Sequence, residues 1–248
     1  MRRVVKAVGL FPLVIQGCAT APVGQEAIQA WGHFASVRGR PGLVIGAPHG
    51  TSDIRTGQIG HALANRIGFG LVTAEGFNDL GPRRRRFHVN RPTEGIPGRP
   101  PSEEVYTDEA RLVYERYVGL VREVSQGPLR LYVELHGNTR RESAERIEIA
   151  TVGVTPLEAS KLKTLFELIR DVHVRSNPEI PRLDVLVEPL DRIVLSASAS
   201  KKVGILCLSE RALHIELPRA PRAPEGQPYV DVLAEFLTEA SRVLSEPR

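Results

Sequence analysis

Three short stretches of this 248-residue chain gather the residue types that bind metals and move protons. Pro48-His49-Gly50-Thr51-Ser52-Asp53 sets a histidine four residues ahead of an aspartate. Glu134-Leu135-His136-Gly137-Asn138-Thr139-Arg140 sets a carboxylate and an imidazole two residues apart, so a strand turns both to one face. Leu213-His214-Ile215-Glu216-Leu217-Pro218 carries a carboxylate inside an apolar strand, where it is costly unless paired or bound to a metal. Two histidines and an aspartate in turns of this kind can form a three-ligand zinc site with one position open to water. Zinc lowers that water's pKa to about 7. Glu216 is then placed to take the water's proton and return it to a leaving group. Each piece also has a plainer use. His49 can bond backbone in a loop, Asp53 can cap a helix, and Glu134 can support a ligand or meet solvent.

The elements needed to position these residues are legible as alternating strands and helices. Gly42–Ala47 reads as a short buried strand, followed by a helix from Asp53 to Ile67 that turns Ile59, Leu63 and Ile67 to one side and closes at Gly68. A strand over 69–74 leads into a Pro/Gly-rich extended loop over 76–102, which holds the run Arg83 to Arg86. Helices are expected at 103–124, 156–172 and 228–244, and strands at 129–135, 146–152, 183–187, 203–208 and 211–217. The alternation implies a single three-layer α/β/α domain with a mixed, mostly parallel sheet. In such sheets ligands bind beyond the strand ends, where the three polar stretches fall.

Charge and the N-terminus bound the setting. The formal charge is +4, but Arg2, Arg3 and Lys6 supply three of those charges, so the body is near neutral and nucleic acid is not an expected partner. Two cysteines, Cys18 and Cys207, make no disulfide framework. Cys207, inside the apolar run Val203–Leu208, is expected to be a buried structural thiol. No apolar run reaches the length of a membrane-spanning helix. Residues 1–17 have a basic start and an apolar stretch broken by Pro12, ending at Gly17-Cys18. This resembles a bacterial lipoprotein signal, with lipidation at Cys18 and anchoring in the cell envelope through that lipid alone. The alternative is an ordinary first strand of a cytoplasmic protein. The arginine run reads as a solvated loop, or as a contact for anionic headgroups on a tethered protein.

Taken in chain order, the motifs resemble the N-formylglutamate amidohydrolase family, a branch of the zinc carboxypeptidase-like and aspartoacylase-like hydrolases. Ala47-Pro48-His49-Gly50 matches its proline-histidine-glycine loop. Asp53 with Thr56 and the following helix, Phe87-His88-Val89-Asn90-Arg91-Pro92, the Tyr114–Val124 helix, Val133–Gly137 and Ile215-Glu216-Leu217 resemble its later segments. The match spans about residues 42–245 and implies a phosphorylase/hydrolase-like domain over 42–248, after a signal peptide at 1–17 and a lead-in at 18–41. It implies zinc held by His49, Asp53 and His136, with Glu216 as general base and Asn90 and Arg91 gripping a substrate carboxylate. Two positions depart from the pattern. His88 stands where an aspartate is usual before the Asn-Arg pair, and Glu134 where an aspartate is usual before the second histidine.

The expected activity is zinc-dependent cleavage of an amide next to a free carboxylate, in an N-acyl amino acid or a short peptide. One alternative is a carboxypeptidase or amidase acting on cell-wall peptides. Another, of a different class, is a non-catalytic envelope lipoprotein that keeps the fold as a binding module. The presence of Glu216 argues against the last.

Overall fold

A computed structural model describes residues 28–78, 85–100 and 103–245. The lipoprotein reading of residues 1–17 and Cys18 lies outside these residues, as do Arg83 and Arg84.

The chain builds a seven-stranded sheet in the order β1-β3-β2-β7-β10-β8-β9. Its strands are β1 (His33–Val37), β2 (Arg40–Ala47), β3 (Phe69–Glu75), β7 (Leu131–Gly137), β8 (Arg146–Val152), β9 (Asp184–Val187) and β10 (Arg211–Leu217). The central run β3-β2-β7-β10 is parallel; β1 joins β3, and β8 joins β10, antiparallel. A small antiparallel sheet of β4 (Arg86–Phe87), β5 (Thr93–Gly95) and β6 (Glu104–Tyr106) forms from the stretch read as loop.

Period-two alternation divides the central strands between two cores. Leu43 and Ile45, Leu131, Val133 and Leu135, and Leu213, Ile215 and Leu217 face α1 (Thr56–Ile67), α3 (Pro156–Ser176) and α5 (Gln227–Val243). Val44, Tyr132 and Ala212 face the other way, toward α2 (Asp108–Ser125). This makes the expected three layers. α2 is started by the Thr107 side chain, which accepts from the Ala110 N–H at 3.1 Å, with Asp108 and Glu109 in its first turn favouring the positive end of the helix dipole. A full capping box between Thr155 and Glu158 starts α3.

Five expectations are corrected. The lead-in 18–41 contains the edge strand β1 and the start of β2. The helix expected from Glu103 begins at Asp108, because Glu104–Tyr106 pairs with β5. The strand expected over 203–208 is instead the end of α4 (Ser198–Val203) and a 3₁₀ turn over Ile205–Leu208. That apolar run has no strand alternation: Gly204, Ile205 and Leu206 are buried in succession, while Cys207 and Leu208 are exposed. Cys207 is therefore an exposed thiol, with Sγ 3.0 Å from the Gly204 carbonyl that accepts from it. Arg85, finally, is no free charge on a solvated loop. Its guanidinium donates to both oxygens of Glu94 at 2.9 and 2.6 Å and lies over the rings of Trp31 and Phe87.

Candidate metal centre

The centre stands at the carboxyl ends of β2, β7 and β10, on the sheet face that α2 covers. β7 and β10 are in parallel register, with Glu134 opposite His214 and His136 opposite Glu216. Residues two apart share a face, so Tyr132, Glu134 and His136 line up along β7 beside Ala212, His214 and Glu216 on β10. The lower positions are apolar or aromatic and the upper ones are ionisable, so the same face grades from core into site.

His49 and Asp53 come from the turn after β2. The Asp53 N–H donates to the His49 carbonyl at 2.7 Å, and the Asp53 carbonyl accepts from both N–H and Oγ1 of Thr56. Asp53 thus leads into α1 through its backbone. Its side chain makes no helix cap and turns inward, where Oδ2 lies 3.4 Å from His49 Nδ1 and 3.1 Å from His136 Nδ1. These three residues offer ligand atoms within 4.8 Å of one another. The structure therefore brings together His49, Asp53 and His136.

The donor set fits a divalent cation on a specific ground. His49 Nε2 donates to the His88 carbonyl at 2.9 Å, which leaves Nδ1 as the ring nitrogen turned toward Asp53. Nδ1 and the Asp53 carboxylate oxygen converge on one point, where a proton or a metal ion is shared between them. The same charge balance acts on His136, which sits between Asp53 and Glu134. Burial works against its imidazolium, but the two carboxylates overcome it and push the pKa up to about 10. Burial likewise opposes the ionised Asp53, yet His136 and His49 hold its carboxyl well below the usual carboxylate range. A bound zinc would replace the His136 proton.

Glu134 is fully buried and organises the layer beneath. Its Oε2 accepts from Asn90 Nδ2 at 3.1 Å and from His214 Nδ1 at 2.9 Å, and its Oε1 from the Tyr132 hydroxyl at 3.3 Å. His136 Nε2 lies 3.1 Å from Oε2, within ion-pair distance but out of line for a hydrogen bond. Burial raises the cost of its charge, while His136 and His214 more than offset it and keep the carboxyl below the usual range. Glu216, also buried, places Oε1 3.1 Å from His214 Nε2. One imidazole thus joins Glu134 to Glu216, and it stacks against His136 with ring centroids 4.2 Å apart. Glu134, His136 and His214 form a second group with metal-ligand spacing. Glu134 is already the common acceptor of Asn90, His214 and Tyr132, so this group supports the first.

His88, Asn90 and Arg91 follow β4. Val89 has a positive φ of 54°, strained for a β-branched residue, and the Asn90 N–H turns back to the His88 carbonyl in a γ-turn. The turn aims that carbonyl at His49. At His88 the main chain orients His49, while the ring faces away, 3.0 Å from Thr93 Oγ1 and 3.1 Å from Glu104 Oε2. Burial, reinforced by Arg91, pulls the His88 pKa down to about 2 and keeps the ring neutral. Asn90 bridges Glu134 to Arg91, whose Nη1 donates to Asn90 Oδ1 at 3.2 Å. Arg91 Nε and Nη2 both donate to Glu104 Oε2, at 2.8 and 2.7 Å. Among the described residues this leaves one N–H on each Nη unused, and a guanidinium can take a carboxylate in bidentate fashion.

Sequence reasoning missed His214, Tyr132 and Glu104. The signal for the first two was present: both sit two residues from a named carboxylate on the same strand face. Glu104 had no comparable signal, because its approach to Arg91 depends on the pairing of β5 with β6.

Neither a family model nor a curated protein matches the chain. Among solved structures, a bacteriophage poly-gamma-glutamate hydrolase matches with a TM-score of 0.50 at 12% identity, over 88% of this chain and 97% of that one. A zinc-free structure of YndL matches at 0.45 and 11% identity, over 84% and 90%. A metallo-carboxypeptidase from Burkholderia cenocepacia matches at 0.43 and 12%, over 89% and 67%. The likeness to the bacteriophage protein is one of fold, and it agrees with the architecture of this chain, a mixed, mostly parallel sheet between layers of helices.

Proposed function

We propose that this protein is a zinc-dependent hydrolase that cleaves an amide bond next to a free carboxylate. The observation that carries the reading is the convergence of His49, Asp53 and His136, whose ligand atoms lie within 4.8 Å of one another. His49 and His136 would hold the metal through Nδ1 and Asp53 through Oδ2. Zinc bound there supplies a Lewis acid and an acidic water with a pKa of about 7. Glu216 takes a proton at Oε2, since His214 engages its Oε1, and hands that proton to the departing amine. Arg91 holds the substrate carboxylate on its free end edge, and Asn90 and Glu104 keep the guanidinium in plane.

Two measurements test this reading. Elemental analysis of chelator-free protein should give about one zinc per chain, bound more tightly at pH 8 than at pH 6, because protons compete for the imidazoles. A screen should then include N-formylglutamate, other N-acyl amino acids, cell-wall peptides and γ-linked glutamate, the last suggested by the name of the bacteriophage neighbour. Zinc-loaded protein that hydrolyses none of them refutes the proposal.

Arg91→Lys keeps the charge but loses the planar fork. It should raise KM about 10-fold or more for a carboxylate substrate, with a smaller loss of kcat, and barely change a neutral amide analogue. Equal losses on both would make Arg91 structural.

The envelope setting stands as part of the same proposal, supported by the Gly17-Cys18 junction. Cys18→Ala should release the protein from membranes of a bacterial host; unchanged membrane association refutes lipidation at Cys18.

A further inference from the structure

Behind the candidate metal centre lies a buried arginine that makes no ion pair among the described residues. Arg222 follows β10, in a short 3₁₀ turn over Ala220–Arg222. Its Nε donates to the carbonyls of Leu217 at 3.1 Å and Pro218 at 3.2 Å. Its Nη1 donates to the Ile54 carbonyl at 3.0 Å, and its Nη2 to the Asn138 carbonyl at 2.8 Å.

These acceptors belong to the three segments that carry the site. Ile54 follows Asp53, Asn138 is two residues beyond His136, and Leu217 follows Glu216. One guanidinium therefore joins the turn that carries two ligands, the end of the strand that carries the third, and the end of the strand that carries the base. The loop after β7 has little else to hold it at this point. The Asn138 N–H donates to the Leu217 carbonyl at 3.0 Å, but its side-chain nitrogen and oxygen are buried without partners among the described residues.

Gly137 shows how close this approach is. A Cβ there would stand 2.6 Å from Arg222 Cζ. Alternation turns that position to the opposite face from His136, so the guanidinium lies behind the strands and away from the substrate side. A lysine cannot do the same. Its three donors radiate from one nitrogen, whereas the guanidinium spreads five around a plane.

We propose that Arg222 is a positioning residue that sets the spacing of Asp53, His136 and Glu216 by tying together the backbones that carry them. The proposal rests on the metal-hydrolase reading. Partners outside the ligand shell commonly change metal affinity or activity by about 10–100-fold when altered.

The test compares zinc-loaded wild type with Arg222→Lys, Arg222→Ala and Gly137→Ala. It measures zinc affinity by chelator competition, the absorption spectrum of the cobalt-substituted protein, thermal stability, and kcat and KM. Arg222→Lys should weaken zinc about 10–100-fold, alter the cobalt spectrum, and lower kcat with KM changed less than about 3-fold. Added guanidinium should restore part of the zinc affinity of Arg222→Ala. Gly137→Ala removes no donor but displaces the guanidinium, so it should shift the spectrum in the same direction even if Arg222→Ala fails to fold. Wild-type zinc affinity and spectrum in both Arg222→Lys and Gly137→Ala, with only stability reduced, would overturn the proposal. A rise in KM alone would make Arg222 a substrate contact and overturn it as well. If the wild type itself binds no zinc, the metal reading falls and takes this inference with it. Tight zinc binding that is indifferent to the variants removes the inference alone.

Discussion

Glu216→Gln should lower turnover by about 10²–10⁴-fold while leaving zinc bound, which is the usual range for losing a general base. The argument begins with position. Glu216 stands opposite His136 in the parallel register and on the same face, so its carboxylate borders the ligand set without belonging to it. Its Oε1 is engaged by His214 Nε2 at 3.1 Å, which orients the group and leaves Oε2 for the proton. Glutamine keeps the shape, and its amide oxygen can still accept from His214, but the basic oxygen is gone. Single-turnover kinetics with zinc analysis of the same sample separates the outcomes. Loss of zinc would make Glu216 a ligand. Full turnover would demand another base, and Glu134 is a poor candidate. It faces the same side as His136, but it is fully buried and its oxygens accept from Asn90, His214 and Tyr132.

The layers of the fold were legible because the central strands carry two independent patterns. Leu131, Val133 and Leu135 alternate with Tyr132, Glu134 and His136, so one strand shows both a continuous core face and a site face. The helices showed themselves through apolar stripes and caps. What escaped depended on contacts distant in sequence. β1 is a short, mostly exposed strand whose place is set by pairing with β3, and in it Phe34 alone is partly buried. Val203–Leu208 had strand composition, but Gly204 packs against the Asn90 carbonyl, where a Cβ would lie 2.5 Å away, and the chain coils there. For the site, His49, Asp53, His136 and Glu216 were readable as residue types at strand ends. The linkage through His214 was not, because a histidine inside an apolar strand reads equally well as core until the register places it between two carboxylates. Arg222 was invisible for a related reason. Its partners are backbone carbonyls, which leave no trace in composition.

Glu134→Ala should destabilise the protein by about 3–5 kcal/mol, the range for removing one member of a buried charged pair. The loss follows from what remains. His214 Nδ1, Asn90 Nδ2 and the Tyr132 hydroxyl would all face the vacated space, and His136 would lose the carboxylate beside its Nε2. Zinc affinity should fall with stability, by about 10–100-fold, because His136 and Asn90 both take their placement from this carboxylate. Glu134→Asp should cost less. It keeps the charge and shortens the reach by one methylene. Glu134→Gln should resemble the alanine variant more than the aspartate one, since its amide would present a donor to donors or an acceptor with no charge. The pH dependence has a fixed sign. The folded protein holds the Glu134 carboxyl below its ordinary value of 4.5, so its ionisation stabilises the fold above that pH and the benefit fades as pH falls toward the lowered folded value. In metal-free protein, the stability difference between wild type and Glu134→Ala should therefore be full at neutral pH and shrink below about pH 4.5. Urea unfolding across that range measures it. A difference that stays constant with pH would mean that Glu134 acts by filling space, and the charged network assigned to it would have to be abandoned.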